Sequence, residues 1–221
     1  MLRTLLISFL AWLFAAFGVH ASSFSLSKAE ALESAQDQEQ QEVQVTKVSA
    51  LLLTPCRNKI KNQKIVVLIG ESHNSKVQTT QDTFSPHSDA INRRLQSLGL
   101  KTYTQAQIRQ QVAQAEIDAV FKNDPDAALS ASKRLAAQYV LKGLITIQAN
   151  RNLPVNVNQV SIHMDFALSA ANGKLIAQTS AENISYTGQD TAGMALTLIN
   201  ERADELVATL YNDYCRNTGV R

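Results

Sequence analysis

Apolar residues along this chain fall into segments whose period changes from one to the next, and each period predicts an element. Lys64 to Gly70 is a continuous β-branched run, Ile-Val-Val-Leu-Ile, stopped by glycine. Such a run predicts a strand buried on both faces, the kind found inside an α/β sheet. The polar, aperiodic stretch 71–84 reads as a loop. Ser85-Pro86 supplies an N-cap and a proline for the first helical position. Ile91, Leu95 and Leu98 then make one stripe, and Gly99 is placed to end the helix. Lys101 to Tyr103 fits a short strand. Thr104 and Gln107 have capping-box spacing, with Ile108, Val112 and Ala115 continuing on one face. Asp124-Pro125 restarts a helix whose stripe is Ala128, Ala131, Leu135 and Ala136.

The period then falls to two. Leu141, Gly143, Ile145 and Ile147 share one side of a strand over 139–149. A turn region follows over 150–158, around Pro154. Val160, Ile162, Met164, Phe166 and Leu168 alternate strictly with Gln159, Ser161, His163, Asp165 and Ala167, which predicts a half-buried strand with a polar face. Asn172-Gly173 is a hairpin signal that sends the chain back along 175–186. From Ala192 to Tyr214 apolar residues recur at spacings of three and four, which predicts a long amphipathic helix packed on the sheet. The fold class expected is α/β (α+β): a single mixed β-sheet flanked by helices, with a C-terminal β-hairpin followed by a long amphipathic helix.

The ends of the chain place it in a compartment. Arg3 precedes an almost wholly apolar run from Leu5 to Val19, and Val19-His20-Ala21 fits a peptidase cut. This is the pattern of a cleaved signal peptide over 1–21. The run is shorter than the ~20 residues of a spanning helix, the competing reading. A periplasmic, exported protein with no stable membrane anchor after cleavage is the expectation. Residues 22–42 form a polar flexible tail without an apolar face, either disordered or a solvated helix. Residues 43–55 turn apolar, and the alternation of Val43, Val45 and Val48 suggests a strand. One domain is expected over 43–216. The formal charge of the whole chain is +2. A balance this close to neutral gives no reason to expect nucleic acid as a partner.

Cys56 and Cys215 are the two cysteines. An even count in an oxidising compartment fits one disulfide bond, closing a long loop, against the alternative of two separate thiols. The two alone do not make a zinc site. No Gly-rich phosphate loop or nucleotide fingerprint occurs. No catalytic residue, cofactor or metal ligand is assigned. Glu71, Ser72 and His73 leave a buried strand, where α/β folds place ligand sites, and are a possible binding loop. Ser72 is not a nucleophile elbow, because no glycine follows it at the required place. His163 and Asp165 share a strand face and could act as a metal or acid–base pair, but read more simply as residues of a solvated sheet face. His87 falls at a helix start and needs no special role.

Gly70-Glu71-Ser72-His73 resembles the Gly-Glu-x-His element of erythromycin-esterase-like and haem-uptake-related hydrolases. That resemblance implies a small metal-dependent or acid–base hydrolase using Glu71 and His73, although the further His and Glu motifs of those enzymes are missing. A broader resemblance runs over 64–213. It joins the strand ending in Gly-Glu-Ser, the helix closed by Leu98-Gly99-Leu100, and Ala131–Gln138 running into Tyr139–Gly143. It continues through the turn at Ala171-Asn-Gly-Lys174 and Tyr186–Asp190 before the Ala-rich helix. In this order the chain resembles periplasmic envelope-assembly domains. These include the curli secretion lipoprotein, the penicillin-binding-protein activator lipoprotein and the middle domain of flagellar assembly protein T; the N-terminal domain of the Tol translocation protein is also similar. The resemblance implies a non-enzymatic accessory or assembly factor that binds envelope proteins, and a possible homo-oligomer. It carries over no catalytic residue. The chain departs from the lipoprotein members in lacking their acylated cysteine.

Overall fold

The computed structural model describes residues 26–73, 76–81, 85–152, 157–185 and 191–218. The signal segment 1–21, the residues around Pro154 and the Tyr186–Asp190 element lie outside the described residues. The chain divides into two units, Met1–Glu42 and Val43–Arg221. The described part of the first belongs to helix α1 (Leu26–Leu52). No helix among the described residues is long and apolar enough to cross a membrane.

The larger unit is a mixed sheet flanked by helices. β1 (Lys64–His73) runs parallel to β4 (Tyr139–Asn152), and β5 (Val157–Ala170) and β6 (Leu175–Ser185) follow as an antiparallel meander. Two short strands, β2 (Lys76–Gln78) and β3 (Lys101–Thr102), pair with β1, giving the order β2-β1-β4-β5-β6. On one face lie α3 (Ser85–Ser97) and α7 (Thr191–Asn217), burying Val67, Ile69, Ile145, Met164 and Phe166. On the other lie α4 (Gln105–Gln111), α5 (Gln114–Phe121) and α6 (Pro125–Arg134), over Val66, Leu68 and Val140. Val66 to Ile69 are fully buried, because β1 is the strand covered on both faces. Each such side chain contributes about 1.5–3 kcal/mol. Cys56, just before α2 (Arg57–Ile60), is joined to Cys215 in α7 by a disulfide whose Cα atoms are 5.7 Å apart.

Several elements differ from the sequence expectation for physical reasons. Residues 43–52 are helical, not a strand. Val43 and Val45 are both 64% exposed. Two side chains three residues apart, as on one helix face, meet α7: Gln44 donates to the Glu201 carbonyl at 2.8 Å and Lys47 pairs with Glu205; just past the helix end Thr54 donates to Asn212 Oδ1 at 2.8 Å. The stretch 71–84 is not all loop, since β1 runs on through Glu71-Ser72-His73 and pairs with β2. The single helical face through Ile108, Val112 and Ala115 is broken. Val112 is extended (φ −119°, ψ 124°), and a new helix begins at Gln114. Ile108 and Ile117 would lie about 180° apart on one straight helix, so the break lets both be buried. Ala136 is not part of the α6 stripe; it takes φ 50° as the chain turns into β4. The Thr104–Gln107 capping box, the Asp124 cap before Pro125 and the turn at Gly173 (φ 82°) are as expected.

Candidate functional site

The end of β1 is the first place where sequence predicted chemistry. Consecutive strand residues point to opposite faces. Glu71 therefore lies on the side of Val67 and Ile69, and Ser72 on the side of Val66 and Leu68. Glu71 is 6% exposed, so its carboxylate is held within the fold and not displayed on a loop; Ser72 is half-buried. Gly70 is needed here for space, because a Cβ would come 2.7 Å from Cε1 of Phe121. The exposed part of this corner is β2, whose three residues are all open to solvent.

Beside it the outer flank of β1 is completed by a side chain. β3 pairs with Lys64 and Ile65, and β2 pairs with residues 71–73. Between them Gln81, fully buried, acts as a strand segment would. Its Nε2 donates to the Ile69 carbonyl (2.9 Å), and its Oε1 accepts from the Ile69 N–H (3.2 Å). Nothing in the sequence pattern marks Gln81, because a polar residue in a polar stretch carries no period. On α3, Ser88 and Asn92 are also buried, one turn apart. Burial lowers the His87 pKa below its ordinary value. Nearby on α5, Asp118 accepts from Thr79 and from Gln114 (2.8 Å), and these bonds, the one from Thr79 first, lower its pKa.

The second place is the outer face of the meander. The α4–α6 layer rests on β1 and the start of β4 and does not extend over β5 and β6. Ser161, His163, Asp165 and Ala167 of β5 therefore remain partly or fully exposed, as the alternation predicted. His163 Nε2 lies 3.1 Å from Asp165 Oδ2, both side chains about half exposed at 47% and 48%. Glu182 of β6 pairs directly with His163, and Ser180 with Asp165. On β4, Lys142 donates to Asn123 Oδ1, and desolvation lowers its pKa. Among the described residues no group of three or more His, Cys, Asp or Glu could hold a metal ion. The structure thus separates the sequence candidates. Glu71 and Ser72 lie at the β1 end, His163 and Asp165 on the open face, and Cys56 and Cys215 on the opposite, helix-covered side.

No family model matches the chain, and no curated protein matches it. Solved structures do. Lipoprotein GNA1162 from Neisseria meningitidis is similar at 14% identity and a TM-score of 0.45, over 66% of this chain and 98% of that one. The hypothetical protein CT253 from Chlamydia trachomatis is similar at 16% identity and a TM-score of 0.47, over 71% and 99%. The LpoB C-terminal domain from Salmonella enterica is similar at 14% identity and a TM-score of 0.35, over 59% and 94%.

Proposed function

We propose that the protein is a non-enzymatic periplasmic accessory or assembly factor that binds components of a bacterial cell-envelope machine, of the flagellar, secretion or wall-synthesis kind. The observation that carries this reading is the half-covered sheet. One face is packed from β1 across to β6 by α3 and α7, whereas the other is covered only over β1 and the start of β4. The uncovered part is held by its continuous hydrogen-bonded ladder and carries mixed polar and charged side chains. That composition suits a reversible protein contact better than a buried obligate interface, which is depleted of charge at its centre. The β1–β2 corner around Ser72 and β2 is the second contact in this proposal. The burial of Glu71 favours an adaptor over a hydrolase, since it keeps the carboxylate away from a large substrate. Export by the segment 1–21 brings the domain to its partners.

The test is in vivo crosslinking of the tagged protein, followed by mass spectrometry, with Asp165→Lys/Glu182→Lys beside the unaltered chain. Components of one envelope machine captured by the unaltered chain and lost from the charge-reversed one are the expected result. Equal capture by both, at equal abundance, removes the open face from the proposal. Capture of nothing above background by the unaltered chain removes the adaptor reading itself.

A further inference from the structure

β6 is the last strand of the sheet, and among the described residues no strand lies beyond it. Part of its outer edge is nevertheless occupied. Asn217 Nδ2 donates to the Ile176 carbonyl at 2.7 Å, and Arg202 Nε donates to the Glu182 carbonyl at 3.1 Å. Both carbonyls belong to even-numbered residues, so in this strand it is the even-numbered residues whose N–H and C=O point away from β5. One end of the edge is further closed by a bulge, where the ladder slips between Leu168–Ala177 and Ser169–Leu175. At the other end the Ile184 N–H is taken by Asn183 Oδ1 at 3.0 Å. Such bulges and side-chain covers are how proteins blunt sheet edges. Between the covered ends the backbone N–H and C=O of Gln178 and Ser180 point outward and take no partner among the described residues.

This open stretch is self-complementary. A second copy, antiparallel and related by a two-fold axis at Thr179, sets Gln178 of one copy against Ser180 of the other, and the reverse. Each is then a hydrogen-bonded pair exchanging both N–H···O bonds. The next pair outward, Ile176 against Glu182, is where Asn217 and Arg202 already hold the carbonyls, so the covers end the ladder on both sides. Neighbouring registers fail. A two-fold at Ser180 needs the Glu182 carbonyl that Arg202 occupies, and one at Gln178 needs the Ile176 carbonyl that Asn217 occupies. A two-fold at Glu182 opposes like charges, which destabilises a strand pair. We infer that the protein self-associates as an isologous pair through its β6 edges, with Thr179 on the axis. The open β5–β6 faces of the two copies then form one continuous surface.

Two variants of the full chain test this. Thr179→Cys adds a thiol where the two copies meet as a non-hydrogen-bonded pair, at a Cα separation of about 4.5 Å, within disulfide range. Because Cys56 and Cys215 are bonded to each other, the new thiol is the one available. A covalent dimer under mild oxidation is expected, with far less from Ser180→Cys, which opposes Gln178. Ser180→Pro removes an outward N–H without breaking the β5 ladder. In sedimentation velocity the unaltered chain should dimerise with rising concentration and the folded proline variant should remain monomeric. An unaltered chain that stays monomeric at every concentration overturns the proposal. So does a folded proline variant that dimerises as before, or a Thr179→Cys chain that fails to crosslink. If the proline variant does not fold, the cysteine result decides.

Discussion

Gly143 of β4 and Phe166 of β5 are direct partners in the antiparallel ladder, and the phenyl ring of one occupies the space a side chain would take on the other. A Cβ at Gly143 would overlap the Phe166 ring and lie 2.9 Å from Cδ1 of Ile69. Phe166 is fully buried, so its ring yields only by displacing its neighbours. Gly143→Ala should therefore cost about 1–3 kcal/mol by overpacking. Urea denaturation followed by circular dichroism would show it as a lower midpoint with an unchanged slope. A wild-type midpoint would mean that the ring moves at little cost.

The disulfide joins residues 159 apart, linking the segment that enters the sheet to the last turns of α7. Both cysteines are buried. A loop of that length restricts the unfolded chain strongly, and its loss should cost roughly 3–5 kcal/mol. The comparison is chemical denaturation of the unaltered chain and of Cys56→Ala/Cys215→Ala, each with and without reductant. Reductant should weaken the first and leave the second unchanged.

Gln81, fully buried, bonds both the N–H and the carbonyl of Ile69, and its Nε2 also donates to the Thr79 carbonyl at 2.6 Å. Gln81→Leu keeps the volume and leaves a buried N–H and C=O without partners. Each unsatisfied group costs about 1–3 kcal/mol. The variant should lose several kcal/mol, and the amide of Ile69 should exchange its hydrogen faster than those of Val67 and Leu68. Unchanged exchange at Ile69 would show that β1 closes its flank without Gln81.

How far the sequence foretold these features depends on whether burial imposed a period. β5 alternates along its length because one face packs on α7 and the other meets solvent, so its strand and its polar face were both legible. Asn172-Gly173 and the stripe of α7 were legible for the same local reasons. Residues 43–52 were not, because Gln44 and Lys47 meet α7 through polar bonds, which leave no hydrophobic repeat. The extension of β1 through His73 and the role of Gln81 were hidden likewise, since an edge made of polar residues looks like a loop. Of the candidate site residues, the exposure of His163 and Asp165 followed from alternation. The burial of Glu71 did not, because a polar residue at the end of an apolar run carries no period that tells a covered strand end from an open loop.

Ala136 is exposed and holds φ 50°, a left-handed conformation in which an L side chain is strained. Glycine adopts it without the Cβ penalty, though it enters with a more flexible unfolded chain. Ala136→Gly should therefore stabilise the protein, by up to about 1 kcal/mol, and raise its thermal midpoint. A lower midpoint would show that the turn after α6 does not constrain this residue.

The pH dependence of stability follows from His87 and Asp118. Burial lowers the folded-state pKa of His87 below its ordinary 6.5, so as pH falls through 6.5 the unfolded chain takes up this proton first. Stability should be full above that point and decline as pH falls from 6.5 towards the lowered folded value. Asp118 works in a separate window. Its hydrogen bonds from Thr79 and Gln114 favour the carboxylate, so its contribution is present above 3.8 and is lost as pH falls below that value. Denaturation midpoints at steps from pH 8 to pH 3 should show two declines. His87→Gln should flatten the upper one and leave the lower, and Asp118→Asn should do the reverse. An upper decline that persists in His87→Gln would assign it to another group and leave His87 as readily protonated in the folded protein as in the unfolded chain.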